Sequence, residues 1–224
     1  MELAVKKIKN LKNPPHRQKD INQRQRNNLL FLQNQEIGMQ IIGGVKRGAK
    51  LVEFDSQNVR PTGQRVREAI FNLLGGGRFT PLVTGATILD LFAGTGALGL
   101  EALSRGATEA YFVERNPKAL DTLRANIRKL DFLDTATVLA GSVENITRWA
   151  YPPADIVFCD APYIDNITSQ TLQNIARTGA IKKGGLIVAE MPNTEKLNLI
   201  DEFQFVDKRK YGITTIHLFN WHPD

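Results

Sequence analysis

The chain has 224 residues, 42% hydrophobic and 23% charged, with a net charge of +6; this is ordinary globular make-up, enough for one full core and a small appendage. No apolar run nears the roughly 20 residues that span a bilayer, and Leu29–Leu32 is too short for a secretory signal, so no membrane partner is expected and the cytoplasm is the expected compartment. The single cysteine, Cys159, cannot close an internal disulfide, which fits a reducing setting; inside the apolar run Ile156–Cys159 it reads as a small core residue rather than a nucleophile.

The charge is uneven. Eight basic against three acidic side chains give residues 1–38 a charge of +5 and leave +1 for the other 186. This stretch is rich in Asn, Gln and Lys, carries Pro14-Pro15 and lacks apolar periodicity, so a flexible basic arm is expected. Three accounts of it stay open: an RNA-binding arm, an extension with no role, and an artefact of start-site choice, because Met39 opens a self-sufficient domain. The division expected is an arm (1–38), a hairpin and helix (39–80) and a catalytic domain (81–224).

Residues 39–60 read as short strands around glycine turns: Gln40-Ile-Ile, Gly43-Gly44, Val45–Gly48 and Lys50–Phe54. From Pro61 to Leu74 the spacing of Val66, Ala69, Ile70, Leu73 and Leu74 predicts a helix, ended by Gly75–Gly77. From Thr87 strands and helices alternate. Strands are predicted at Ile88–Phe92, Ala110–Val113, Ala136–Ala140, Asp155–Cys159 and Leu186–Ala189. Helices are predicted at Ala97–Ser104, from Pro117 (after Asn116) to about Leu130, at Val143–Trp149 and at Ser169–Ala176. Phe203–Lys208 and Thr214–Phe219 read as an antiparallel pair. Repeated βα units with continuous apolar strands imply a parallel sheet covered on both faces, with ligands at the carboxyl ends of the strands.

Gly94, Gly96 and Gly99 fit G-x-G-x-x-G, a nucleotide-binding pattern. Glu114 ends the next strand, where an acid that holds a ribose is expected; a solvated strand-end acid is the plainer alternative. Asp90, four residues before Gly94, separates two cofactors. Its carboxylate would repel the pyrophosphate of NAD but suits the ammonium of a methionine moiety, which S-adenosylmethionine carries without any phosphate. The expected cofactor is therefore S-adenosylmethionine, with Asp90, Phe92, Gly94, Thr95, Gly96 and Glu114 around it and Ser142 at the adenine end. Asn116 reads as a helix cap.

Asp160-Ala161-Pro162-Tyr163 closes the fourth predicted strand. An exocyclic amine is a poor nucleophile because its lone pair is delocalised into the ring. The Asp160 carboxylate and the Ala161 carbonyl are acceptors that can align that lone pair and stabilise the charge that develops on methylation. The Tyr163 ring would stack on the target base, a contact worth roughly 1–3 kcal/mol. A strand-end Asp before a proline turn is also common on its own; the upstream glycine loop is what favours the chemical role.

The tetrapeptide resembles the (Asp/Asn)-Pro-Pro-(Tyr/Phe) motif of amino-group methyltransferases, with Ala161 in place of a proline. Met39–Gly44, Lys46–Leu51, Arg60-Pro-Thr, Arg65–Asn72, Leu91–Gly106 and Tyr211-Gly-Ile-Thr together resemble the bacterial RsmD family, with a second departure at Gly63-Gln64, where that family usually has Thr-Asp. The resemblance covers about residues 39–220. It implies an α/β class I S-adenosylmethionine-dependent methyltransferase fold: a Rossmann-like, mostly parallel seven-stranded sheet with an antiparallel C-terminal hairpin and a small N-terminal hairpin/helix extension. It implies transfer of a methyl group to N2 of one guanine of 16S ribosomal RNA, within a small subunit or its assembly intermediate, by an enzyme expected to be a monomer. It also implies that the segment holding Arg65, Arg67 and Glu68 lines the pocket, with Arg65 toward the cofactor. Lys46, Arg47, Lys50 and Arg60 are the candidate phosphate contacts; taken alone they also fit a solvated basic turn. His16, His217 and His222 show no ligand spacing, and no metal is expected. Other targets for the same clamp are adenine N6 in DNA and a protein glutamine. A binding-only protein with a degenerate fold and an NAD dehydrogenase are the readings from other classes.

Overall fold

Five strands, β1 (Thr87–Leu91), β2 (Glu109–Glu114), β3 (Ala136–Ala140), β4 (Ala154–Asp160) and β5 (Ile181–Pro192), pair in parallel. Two more, β6 (Phe203–Tyr211) and β7 (Thr214–Trp221), add an antiparallel edge. The computed structural model describes residues 38–53, 62–76, 82–162, 167–194 and 197–223. It orders the seven strands β3-β2-β1-β4-β5-β7-β6, the class I methyltransferase sheet that the resemblance implied. Of the expected arm, only Gly38 is described; Phe54, Arg60, Pro61, Gly77 and Tyr163 also lie outside the described residues.

The helices are α1 (Thr62–Gly75), α2 (Ala97–Ser104), α3 (Pro117–Leu130) and α4 (Ile167–Arg177). Two apolar clusters sandwich the sheet. One joins Val66, Ile70 and Leu74 of α1 to Leu100, Leu123 and Ile127 and to Ile88, Phe112 and Phe158 of the sheet. The other joins Leu172 and Ile175 of α4 to Leu89, Val157 and Ile187. Adjacent strand residues enter opposite clusters because side chains alternate along a strand. Cys159 is buried in the second. Helix α3 begins as its sequence predicts: Asn116 accepts from the backbone N–H of Lys118 (2.9 Å) and Ala119 (3.3 Å), and Pro117 fills the first turn.

Three expectations need correction. The helix predicted over Val143–Trp149 is a single 3₁₀ turn, Val143–Asn145. Trp149 leaves the helical path to pack on Tyr111 and Tyr151, and its indole N–H donates to the Pro152 carbonyl. Strand β5 starts at Ile181, not Leu186, because Ala154 pairs with Ile181 before the register shifts to Ile156 with Leu186. The predicted N-terminal strands shrink to one antiparallel bridge, Gln40 with Lys50.

What holds the N-terminal loop is a set of polar side chains on α2 and α3. Glu101, with 0% exposure, accepts from the backbone N–H of Ile42 (2.7 Å) and Gly43 (2.8 Å) and from Arg105 Nε (2.6 Å). Ser104 Oγ donates to the Gly43 carbonyl (2.6 Å) and accepts from Lys46 N–H (3.0 Å). Asn126 accepts from Val52 N–H (2.6 Å) and donates to the Val52 (3.0 Å) and Thr95 (3.1 Å) carbonyls. Removing one partner from a buried charged network costs about 3–5 kcal/mol. Glu101→Ala is therefore expected to lower the thermal midpoint by roughly 10 °C, read by circular dichroism, whereas a shift below a few degrees would mean that the loop does not depend on this carboxylate.

Candidate active site

The sheet order reverses between β1 and β4, and a parallel α/β sheet binds its ligands in the crevice at that switch point. A cavity of about 700 Å³ opens there, at the carboxyl ends of β1, β2 and β4. Leu91 pairs with Cys159, so the residues that follow them, Phe92 and Asp160, lie side by side on the cavity rim. Both line it, with Asp90, Gly94, Thr95, Glu114 and Ser142, all expected from sequence.

Asp90 forms the floor. It is 2% exposed, and its Oδ2 accepts from the Gly99 N–H at 2.9 Å. Burial pushes its pKa up to about 8, against that hydrogen bond, and the nearby charges of Asp160 and Glu114 push in the same direction as burial. The carboxyl is thus held toward its protonated form. Phe92 turns the chain out of β1 with a φ of 59°, in the left-handed region that a non-glycine residue rarely adopts.

The glycines divide the work differently from expectation. Gly94 lines the cavity. Gly96 is buried beneath the loop: a Cβ there would lie 2.4 Å from Leu123 Cδ1. At Gly99 a Cβ would lie 2.3 Å from the Phe112 ring. Gly96 is further set by its φ of 82°, in the left-handed region; Gly99 is glycine because helix and sheet close tightly on it, and that closeness lets its N–H reach Asp90. Thr95 donates to the Met39 sulfur at 3.5 Å, which brings the N-terminal loop to the cavity wall.

Glu114 accepts three backbone N–H groups: Gly94 at 2.7 Å through Oε2, and Arg115 (2.8 Å) and Asn116 (2.7 Å) through Oε1. It therefore does the strand-end work of the plainer alternative while its carboxylate also faces the cavity. An ionised carboxylate has about four lone-pair positions, so one stays available for a hydroxyl.

On α1 the segment expected to line the pocket contributes Arg67 to the wall. Arg65 and Glu68 are exposed and point elsewhere; Arg67, 3% exposed, lines the cavity. Its Nη2 donates to the Gln40 carbonyl at 2.6 Å, and its Nε has no partner among the described residues. Burial lowers its pKa against the pull of Glu101 and Glu53. A helix-face pattern cannot reveal this arginine, because its partner lies 27 residues upstream.

Asp160, Ala161 and Pro162 line the same cavity, with Asp160 and Pro162 exposed and Ala161 buried. Tyr163 lies outside the described residues. Lys46, Arg47 and Lys50 sit on the N-terminal loop, Arg47 and Lys50 exposed and Lys46 half-buried with its Nζ 5.6 Å from the Phe132 ring centroid. Glu190 joins Asp90, Glu114 and Asp160 on the wall. Four carboxyl groups suit an amine or a cation and would repel a pyrophosphate, which disfavours NAD.

The family described as conserved hypothetical protein 95 matches residues 39–220. The chain is 31% identical over 184 residues to the Haemophilus influenzae protein named ribosomal RNA small subunit methyltransferase D, covering 81% of this chain and 93% of that protein. It is similar in structure to the Escherichia coli protein yhhF, with TM-score 0.73, 30% identity, and 83% and 99% of the two chains covered. An RNA methyltransferase from Salinibacter ruber, solved with S-adenosyl-L-homocysteine, has the same fold at 12% identity, with TM-score 0.55 over 72% of this chain and 93% of that one.

Because the folded Asp90 carboxyl holds its proton to about pH 8 and an unfolded one releases it near 3.8, the folded state binds the extra proton between these values. Its contribution to stability therefore falls as pH rises from about 4 to 8 and is level outside that window. Thermal midpoints of the native chain minus those of Asp90→Asn should decline across that range. A difference that does not change with pH would show Asp90 to be ionised throughout.

Proposed function

We propose, for a chain that belongs to the RsmD family of ribosomal RNA methyltransferases, that it transfers a methyl group from S-adenosylmethionine to the exocyclic N2 of one guanine in small-subunit 16S ribosomal RNA. The observation that carries this is the placement of Asp90 and Asp160 in one cavity, a buried carboxyl for a cation and an exposed one for an amine. The name of the Haemophilus influenzae relative supports ribosomal RNA as the substrate. The methyltransferase clamp supports an amino group as the acceptor.

The wall fits the cofactor. A buried acid and a buried arginine, Asp90 and Arg67, offer opposite charges to the ammonium and carboxylate of an amino-acid moiety. Glu114 keeps a lone pair for a ribose hydroxyl, and Ser142 stands where an adenine contact falls. S-adenosylmethionine supplies a methyl group on a positively charged sulfur. Asp160 and the Ala161 carbonyl accept hydrogen bonds from the guanine amine, turn its lone pair toward the methyl group and offset the positive charge that grows on nitrogen. Asp160 is then placed to take the proton that nitrogen must lose. Tyr163 is the proposed stacking partner. The guanine has to leave its stack to enter, which is least costly in a loop.

Labelled methyl should appear on a single 16S guanine when subunits lacking RNA methylation are the substrate, with protein-free RNA and DNA run in parallel; label on DNA alone, or on protein, would replace this reading. Asp160→Ala should lose at least about a hundredfold in kcat while S-adenosyl-L-homocysteine still binds, and retained turnover would remove Asp160 from the chemistry. Affinity for the cofactor should climb with pH up to about 8, where Asp90 no longer has to give up a proton on binding. With only +1 on residues 39–224, binding of that body to protein-free RNA should be weak and salt-sensitive, the expected pattern if ribosomal proteins assist.

A further inference from the structure

The tetrapeptide Tyr211-Gly212-Ile213-Thr214 carries part of the family resemblance, yet no step above uses it. It forms the turn between β6 and β7. Because β7 runs antiparallel to β5, this turn stands at the same end of the sheet as Asp160: Asp160 pairs with Glu190, Glu190 with Ile216, and Pro192 with Thr214. Asn193 fixes it there. Its side-chain amide donates to the Gly212 carbonyl (2.8 Å), its backbone N–H donates to the Ile213 carbonyl (3.0 Å), and its side-chain oxygen accepts from the Thr215 hydroxyl. Held this way, Ile213 is still 66% exposed.

Strand β6 leads to this turn along the edge of the sheet. Phe205, Lys208 and Lys210 pair with Phe219, His217 and Thr215, alternate residues of β7, so all three point to one face despite the irregularity between Phe205 and Asp207. Phe205 is 61% exposed and both lysines are exposed. Arg209 is engaged with Asp207 at 2.8 Å. His217 stacks on Phe219 (6.0 Å, 20°); burial and Lys208 hold its pKa down to about 4, so at neutral pH it adds ring surface and no charge. Lysines alone would be explained as guards of an edge strand against pairing. Guarding does not explain a bare phenylalanine and a bare isoleucine beside them. Rings and cations in a row along one strand are what a single-stranded nucleic acid needs, the bases stacking and the phosphates neutralised.

We infer that the outer face of β6 and the β6–β7 turn form a second RNA-docking surface, over which the strand flanking the target nucleotide lies, a base on Phe205 and phosphates at Lys208 and Lys210. This rests on ribosomal RNA being the substrate, and the partner is that RNA strand. The surface is separate from the basic N-terminal loop.

The test is binding of a 16S ribosomal RNA fragment across a salt series, with methyl transfer and S-adenosyl-L-homocysteine binding measured on the same proteins. Lys208→Gln with Lys210→Gln should reduce the salt slope by about 1.5. Phe205→Ala should weaken RNA binding about tenfold and leave the slope unchanged. Both should raise KM for RNA while kcat, S-adenosyl-L-homocysteine affinity and the thermal midpoint stay the same. Unchanged RNA affinity and slope in folded variants would overturn the proposal. So would a loss seen with subunits and absent with protein-free RNA, which would assign the face to a ribosomal protein. If the native chain binds RNA with these dependences but methylates none of it, the proposed function fails and the docking surface stands.

Discussion

The carboxylate of Glu101 ties the two parts of the cavity together. A charge with 0% exposure is tolerated only when fully partnered, and here two backbone N–H groups and the Arg105 guanidinium partner it. The consequence is positional. Ile42 and Gly43 are pinned to α2, so Met39 just before them is delivered to the cavity wall and Gln40 to Arg67. Met39 then meets Thr95 of the glycine loop, and Gln40 meets Arg67. A loop with a single β-bridge of its own is made into a wall by side chains that it does not contain.

Asp90 is the counter-example on the neighbouring strand. It is equally buried but, among the described residues, receives one hydrogen bond, from Gly99, and looks toward Asp160 and Glu114. Three donors make Glu101 a structural anchor; one donor and two like charges leave Asp90 unsatisfied in its ionised form. That difference separates a carboxylate that holds a fold from one fit, on the proposed function, for a cation. It also explains why the glycine pattern alone is ambiguous: Gly96 and Gly99 answer to Leu123 and Phe112, packing demands that any tight strand–loop–helix turn would make.

The alternation of apolar strands with helices was legible because its signals are local. The same holds for Asn116-Pro117, where cap and first turn lie within three residues, and for Asp160, placed by the strand it ends. Glu101 and Asn126 were not legible, and Arg67 was named only by the resemblance. Each looks like a polar helix residue, and each is buried by a segment between 27 and 74 residues away, so no spacing announces it. The resemblance put Arg65 and Arg67 on one pocket-lining segment with Arg65 toward the cofactor; the structure sets Arg67 on the cavity wall and leaves Arg65 exposed, because two positions along a helix change the face. The helix predicted over Val143–Trp149 failed for a related reason: the tryptophan is claimed by Tyr111, and that contact outweighs local propensity.

The distribution of charge then bears on how RNA can be handled at all. Residues 39–224 carry a net +1, too little to hold a polyanion by bulk attraction. The acids are concentrated inside the cavity, in Asp90, Glu114, Asp160 and Glu190, while Arg47 and Lys50 on the N-terminal loop and Lys208 and Lys210 on β6 are exposed outside it. On the proposed function, a phosphate meets like charge in the interior and opposite charge at the flanks, whereas an amine, which donates hydrogen bonds, meets acceptors in the interior. Such an arrangement would keep the backbone out and let in the amine edge of an unstacked base. The low net charge of residues 39–224 is therefore no defect in an RNA enzyme of this kind, because selection would come from where the charges sit and not from how many there are.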